Sequence, residues 1–342
     1  MEHGVAQYPA FQVFMNQKDS TSLRNWLTYE KYERVIRAPI PYSATDCIDL
    51  KNRAVAPFAA QDVANARYYH YLGTDENGVD VAAYMLYGWH TAVKIGALAT
   101  FISFLIGLLF GLSAAYFRND GLSVPVYKLF LYSITLGFGY FYIFIVPIGS
   151  ILFKIFIFCS LIFLIYKLNI PNKKNNTIHI ALDTILLRTM DTINSFPKIL
   201  VLLSIAAILV KCQWWHIAIL IGCIAWTSVA RLARAETLRI KGLSFFEAAK
   251  ASGLYDWSII RNHILPNVLP SIWILLGFSV SSAIMVEASM SFIGLNIHEA
   301  SWGLLLNQAH SNQALWWLAF FPGFAIFMTV LIFSVWAERK GN

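Results

Sequence analysis

Apolar residues run in long blocks over 92–117, 126–168, 197–211, 214–235, 268–292 and 314–337, and no such block precedes residue 90. A helix needs about 17 to 25 predominantly apolar residues to cross the hydrocarbon core of a bilayer. Most blocks therefore have the length of one span, with 197–211 at the short end. The block 126–168 is too long for a single helix, and Pro147 with Gly149 near its middle turns it into a hairpin of two. The pattern predicts an all-α protein, a polytopic transmembrane helical bundle of about seven spans. A polar N-terminal segment, residues 1–90, precedes the membrane domain, residues 91–338.

Composition agrees. Apolar residues make up 58% of the chain, charged residues only 13%, and mean hydropathy is +0.57, far from a soluble domain. The net charge of +7 would suit nucleic acid, but its carriers sit in short connections between apolar blocks, where topology accounts for them. With the loop before residue 268 taken as cytoplasmic, the inner connections hold Arg118 and Lys128, Lys167 to Lys198, Arg231 to Arg261, and Arg339 with Lys340. The outer ones hold little beyond Lys211 and Lys154. Lys and Arg accumulate on the cytoplasmic side, which orients the chain. Seven spans with a cytoplasmic C-terminus then place residues 1–90 outside. No apolar stretch of signal-peptide length occurs in the first 30 residues. Cys47, Cys159, Cys212 and Cys223 show no C-x-x-C spacing and point to neither a zinc site nor a disulfide framework.

The longest polar stretch between late spans reads as two short helices joined by a glycine. Ser244 and Glu247 have the spacing of a capping box, Gly253 suits the left-handed residue that ends a helix, and Asp256 caps a second helix that stops before Pro266. On the first helix Phe245, Ala248, Ala249 and Ser252 recur at i, i+3, i+4 and i+7, a small flat face with one aromatic anchor. Such a face docks closely into a groove. The competing reading, a helix resting on the bilayer surface, calls for a larger apolar face.

Glu247-Ala248-Ala249, Gly253 and His263-Ile264-Leu265-Pro266-Asn267 together resemble the cytoplasmic EAA loop of ABC importer permeases, here spanning 236–267. The resemblance is to the dipeptide, oligopeptide and nickel branch. His70-Tyr71-Leu72-Gly73-Thr74-Asp75 with Gly78 and Asp80 is similar to the segment this branch carries just before a span. Glu287 to Leu295, followed by Ser301-Trp302-Gly303, is similar to its late outer loop. There are three departures: Val79 replaces the usual arginine, 126–168 resembles an inserted hairpin relative to a six-span subunit, and the family's first span, upstream of the external loop, is not among the blocks.

The resemblance implies a permease subunit in a bacterial cytoplasmic (inner) membrane, forming half of a pathway for peptides or similar small solutes. The implied partners are a homologous permease, two ATP-binding subunits or domains, an extracytoplasmic solute-binding protein and the lipid bilayer, with no nucleic acid and no cofactor. It assigns ATPase coupling to Glu247, Ala248, Ala249, Gly253 and Phe245. No G-x-x-x-x-G-K-[ST] loop is present to bind phosphates, so the ATPase is a separate polypeptide.

Glu287 lies inside an apolar block, where an acid costs about 2.5 to 3.5 kcal/mol at the bilayer centre. It is a candidate for a pathway or gating role together with Ser289 and Ser291, or an inter-helix hydrogen-bond acceptor. Ser271, Ser279, Ser281 and Ser282 in the same block suit either a wet pathway or close helix packing. His216 and His263 have no second ligand at metal-binding spacing, and no nucleophile and base pair stands out. A secondary transporter would need its own coupling-ion site in repeated halves, and a membrane enzyme would need clustered His, Asp or Glu; neither pattern is seen.

Overall fold

The computed structural model describes residues 51–63, 68–118, 181–208, 212–295 and 299–341, with strand residues 123–125 and 177–179 and isolated positions 40, 42, 43, 131, 135 and 160. The helices are α1 (Val81–Phe117), α2 (Leu182–Ser195), α3 (Lys198–Ile208), α4 (Trp214–Lys241), α5 (Ser244–Ala251), α6 (Asp256–Ile259), α7 (Leu265–Phe292), α8 (Trp302–Ser311) and α9 (Trp317–Gly341). A π-helical turn, Ile260–Ile264, joins α6 to α7. Among the described residues four stretches are long and apolar enough to cross a membrane: α1, α4, the continuous run Asp256–Phe292, and α9. The pair α2 and α3, broken at Phe196 and Pro197, makes a fifth if counted as one span. The hairpin expected within 126–168 falls almost wholly outside the described residues.

Several boundaries differ from expectation. The first span begins at Val81 rather than near 92, because tyrosines and His90 in its opening turns break the apolar run without breaking the helix. At 37 residues and ~1.5 Å rise per residue, α1 is far longer than the ~30 Å hydrocarbon core. The stretch between the last two spans carries the helix α8, N-capped by Ser301, whose Oγ accepts from the Gly303 amide at 3.1 Å. The structure also adds a short antiparallel ladder, β1 (Ser123–Pro125) against β2 (Thr177–His179), with Ser123 opposite His179 and Pro125 opposite Thr177.

The chain forms two compact units. The first comprises Met1–Gly107, Asn194–Val229 and Leu269–Asn342. Its main core gathers Ile95 and Ala99 from α1, Leu202 and Ala206 from α3, Ile217, Ala218 and Ile221 from α4, and Ala283 and Met290 from α7. Small residues alternate with branched ones, as suits helices that must approach closely because lipid offers no hydrophobic drive to associate. Outside this core, Phe101 and Leu105 on α1 and Phe320, Phe324, Phe327 and Ile332 on α9 are exposed, faces that fit a bilayer or a partner helix rather than water.

The segment before α1 belongs to the same unit and is held by polar contacts. Asp80 caps α1, its Oδ1 accepting from the Ala83 amide at 2.7 Å, while its Oδ2 meets His70 Nδ1 at 2.8 Å. Asp75 folds the intervening turn by accepting the Asn77 and Val79 amides. Trp317 on α9 donates its indole N–H to the Thr74 carbonyl at 3.1 Å, and Gln308 on α8 donates to Asp75 Oδ2 at 3.2 Å. These bonds are made by backbone, Asp75 and Asp80, so the turn forms with valine at position 79. The second unit comprises Leu108–Ile193 and Ala230–Val268, and it contains the whole EAA-like loop.

Candidate functional site

The EAA-like loop begins where α4 ends. Its first helix, α5, covers Ser244–Ala251, close to the stretch bounded by the predicted face residues Phe245 and Ser252, but its entry differs. Leu243 is the N-cap, in extended conformation and without a side-chain cap bond, so Ser244 stands one place too far into the helix to form the capping box with Glu247. The exit is as expected. Gly253 adopts φ +73°, a left-handed conformation costly for any residue with a Cβ, and its amide donates to the Lys250 carbonyl at 3.1 Å. Tyr255, rather than Asp256, is the N-cap of α6. Nor does the helix stop before Pro266. It widens into the π turn Ile260–Ile264 and runs on as α7, a widening that accommodates the amide lost at proline.

The faces of α5 separate clearly. Phe246 and Ala249 point inward and are buried, whereas Phe245, Glu247, Ala248 and Ser252 are exposed. Ala249, expected on the docking face, is therefore one of the residues that seat the helix on its own unit. The outer face is Phe245, Ala248 and Ser252, extended beyond Gly253 by Leu254, Tyr255 and Trp257, of which Tyr255 is 86% and Trp257 70% exposed.

What holds the loop was not apparent in the sequence. Tyr116, in the last turn of α1, packs edge-on against the Phe246 ring and donates its hydroxyl to Asp256 Oδ1 at 2.5 Å. Lys241, at the end of α4, donates to the carbonyls of Ala115 (3.1 Å) and Tyr116 (2.7 Å), covering otherwise unpaired carbonyls at the end of α1. Its ammonium also lies 5.6 Å from the Tyr116 ring centroid. A tyrosine near the end of one apolar block and a lysine after another carry no local signal of meeting. In the same unit Arg234 grips Asp183 with two parallel bonds, Nε to Oδ1 at 2.5 Å and a second to Oδ2 at 2.8 Å.

In the first unit, Glu287 is buried at 1% exposure and accepts hydroxyl donors from Ser291 (2.9 Å) and Ser301 (2.6 Å) through one oxygen, Oε1. Ser301 in turn starts α8, and the next residue, Trp302, donates its indole N–H to the Met85 carbonyl on α1 at 3.0 Å. Gly303 makes this packing feasible: a Cβ there would lie 2.1 Å from the Ala288 carbonyl oxygen. Glu287 and Ser291 are thus brought together, in a packed joint. Ser289 stands apart, donating to the Met285 carbonyl and lining a surface hollow with Phe292, Leu306 and His310. Ser281 is a packing residue, bonded to the Gly277 and Val330 carbonyls. Among the described residues no group of three His, Cys, Asp or Glu is arranged to hold a metal.

Residues 176–339 match the family described as "Binding-protein-dependent transport system inner membrane component". The chain is 25% identical over 299 residues to the glutathione transport system permease protein GsiD of Pectobacterium atrosepticum, covering 86% of this chain and 76% of that protein. It is 26% identical over 270 residues to the dipeptide transport system permease protein DppC of Bacillus subtilis (78% and 65% covered). Over 156 residues it is 33% identical to the oligopeptide transport system permease protein OppC of Salmonella typhimurium (45% and 51%). Among solved structures it is similar to the MetNI methionine ABC transporter in inward-facing form, at 14% identity and a TM-score of 0.43 over 76% of this chain and 97% of that one. With the EAA-like loop between long apolar helices, residues 176–339 of this multi-pass membrane protein carry the domain of binding-protein-dependent transport inner membrane components, and the chain is similar, over both units, to ABC importer permeases of the peptide branch.

Proposed function

We propose that the chain forms half of a translocation pathway for peptides or similar small solutes in a bacterial inner membrane, and that its EAA loop couples the pathway to a separate ATPase. Its complement is a homologous permease, two ATP-binding subunits or domains, and an extracytoplasmic solute-binding protein that delivers the solute. Residues 1–90 face the exterior in this reading, 126–168 is an inserted hairpin in the permease domain 91–338, and 236–267 faces the cytoplasm.

The observation that carries the proposal is the shape of α5: a short helix seated by Phe246 and Ala249, ended sharply at Gly253, and presenting Phe245, Ala248 and Ser252 outward. Glu247 stands exposed beside that face without the capping duty expected of it, which leaves its carboxylate for a partner. A helix this short is marginal by itself and keeps its form through the packing beneath it, so it meets a partner as a preformed knob.

Copurification of the permease with its ATPase tests the assignment. Gly253→Pro forbids the left-handed turn, and Glu247→Arg reverses a charge on the outer face. Both are expected to abolish copurification while the permease remains membrane-inserted. Undiminished association in both variants would remove the outer face of α5 from the interface.

A further inference from the structure

The first unit holds a cavity of about 210 Å³ between α1, α3, α4 and α7. Its walls are mostly apolar, yet hydroxyls reach it from three of the four helices: Thr100 and Ser103 on α1, Ser228 on α4, and Ser279 and Ser282 on α7. Lys198, the first residue of α3, contributes the only charge in the lining. Two features mark it as more than a packing fault. Thr100 is 93% buried, lines the cavity, and its Oγ1 has no hydrogen-bond partner, whereas buried hydroxyls are ordinarily paired because an orphan costs about 1–3 kcal/mol. Lys198 makes no ion pair among the described residues, and the helix it opens presents its positive dipole end on the same side.

We infer that this cavity is a subsite for a carboxylate carried by the transported solute, with Lys198 as its counter-charge and the Thr100 hydroxyl as a donor. The inference rests on the permease reading and adds a charge preference to it. The chemistry favours an anion because the lining has one cation and no acid. It favours a small carboxylate over a bulky anion because the volume equals about seven waters at ~30 Å³ each, and the surrounding Leu202, Ile221 and Phe278 accept the apolar remainder of a short peptide. It also divides the serines of α7 into two classes: Ser279 and Ser282 line the cavity, and Ser281 and Ser291 are spent on packing.

The test needs no knowledge of the natural solute. In the assembled transporter, with Cys47, Cys159, Cys212 and Cys223 replaced, Ser279→Cys and Ser282→Cys are labelled with a carboxyethyl or a trimethylammonium-ethyl methanethiosulfonate. With each rate taken relative to that reagent's rate with a free thiol in solution, the carboxylate reagent is expected to react faster by on the order of tenfold, because reagents of opposite sign differ by twice the Coulomb energy at one lysine. Lys198→Met is expected to erase the preference and Lys198→Arg to keep it, while Ser281→Cys, packed against α9, stays unlabelled. Equal rates for the two reagents with Lys198 in place, or a preference that survives Lys198→Met, would overturn the assignment. Undiminished ATPase association of the Gly253→Pro and Glu247→Arg variants, which would sink the coupling reading, has no bearing on these rates, so the two readings fail separately.

Discussion

Glu287 is the residue whose burial most constrains its role. A carboxyl at 1% exposure within an apolar helix is tolerable only if its oxygens are satisfied. Oε1 takes two hydroxyl hydrogens, from the same helix at Ser291 and from the start of α8 at Ser301. The arrangement ties α8 to α7 and, through Trp302, to α1. Glu287→Gln retains a carbonyl acceptor at the same place and is expected to leave thermal stability in detergent within about 1 kcal/mol. Glu287→Leu orphans two buried hydroxyls and is expected to cost about 2–6 kcal/mol, at about 1–3 per orphan. Equal melting temperatures for the two variants would show that the hydroxyls do not depend on the carboxyl.

At the scale of elements, the loop from α5 to α7 is a set of short helices whose placement depends on a neighbour. Tyr116 touches both halves of it, with its ring on Phe246 and its hydroxyl on Asp256. Tyr116→Phe keeps the ring, including its approach to Lys241, and removes one hydrogen bond to a carboxylate. Because that bond is exposed, a loss of about 0.5–1.5 kcal/mol is expected, the range of an ordinary bond rather than a buried charged one. It is expected to appear as faster amide exchange confined to residues 244–260, with the long helices unchanged. Exchange rates in that stretch equal to wild type would mean that Phe246 and Ala249 hold the loop without the hydroxyl. Reading the loop from sequence located its helix, its terminating glycine and its outer aromatic. It misplaced the caps by one residue and the face of Ala249, because an eight-residue helix with alanines at adjacent positions fits two rotations, and only Phe246 meeting Tyr116 decides between them.

For the whole molecule, the ladder of β1 and β2 bears on the insertion. Pairing Pro125 with Thr177 brings together the two ends of the stretch that contains 126–168, so that stretch begins and ends at one place. Replacing residues 126–176 with Asn-Gly, a two-residue turn that suits an antiparallel pair, should therefore close the ladder without displacing α2 and the helices after it. If the stretch carries a hairpin of two spans, its removal also leaves the orientation of every later span unchanged. The shortened chain is expected to insert in the membrane and copurify with the ATPase like the full one. Loss of insertion, or an inverted C-terminus in a tag-accessibility assay, would make 126–176 integral to the bundle.

The sequence alone determined the class of this protein and most of its long helices. Apolar blocks of membrane length and the distribution of Lys and Arg between them are properties of chain composition that a bilayer reads directly, before any helix meets another. The same holds for Gly253, where a local backbone demand selects the residue. What lay beyond the sequence is whatever depends on two segments meeting. The early start of α1, the helix α8, the seating of Ala249, the clamp of Tyr116 and Lys241, and the gathering of Thr100, Lys198 and Ser282 around one cavity are all of this kind. Each of these side chains looks alike in sequence whether it faces lipid, a neighbour or a passage. Only helix packing, which sets the rotation of every helix about its axis, tells them apart.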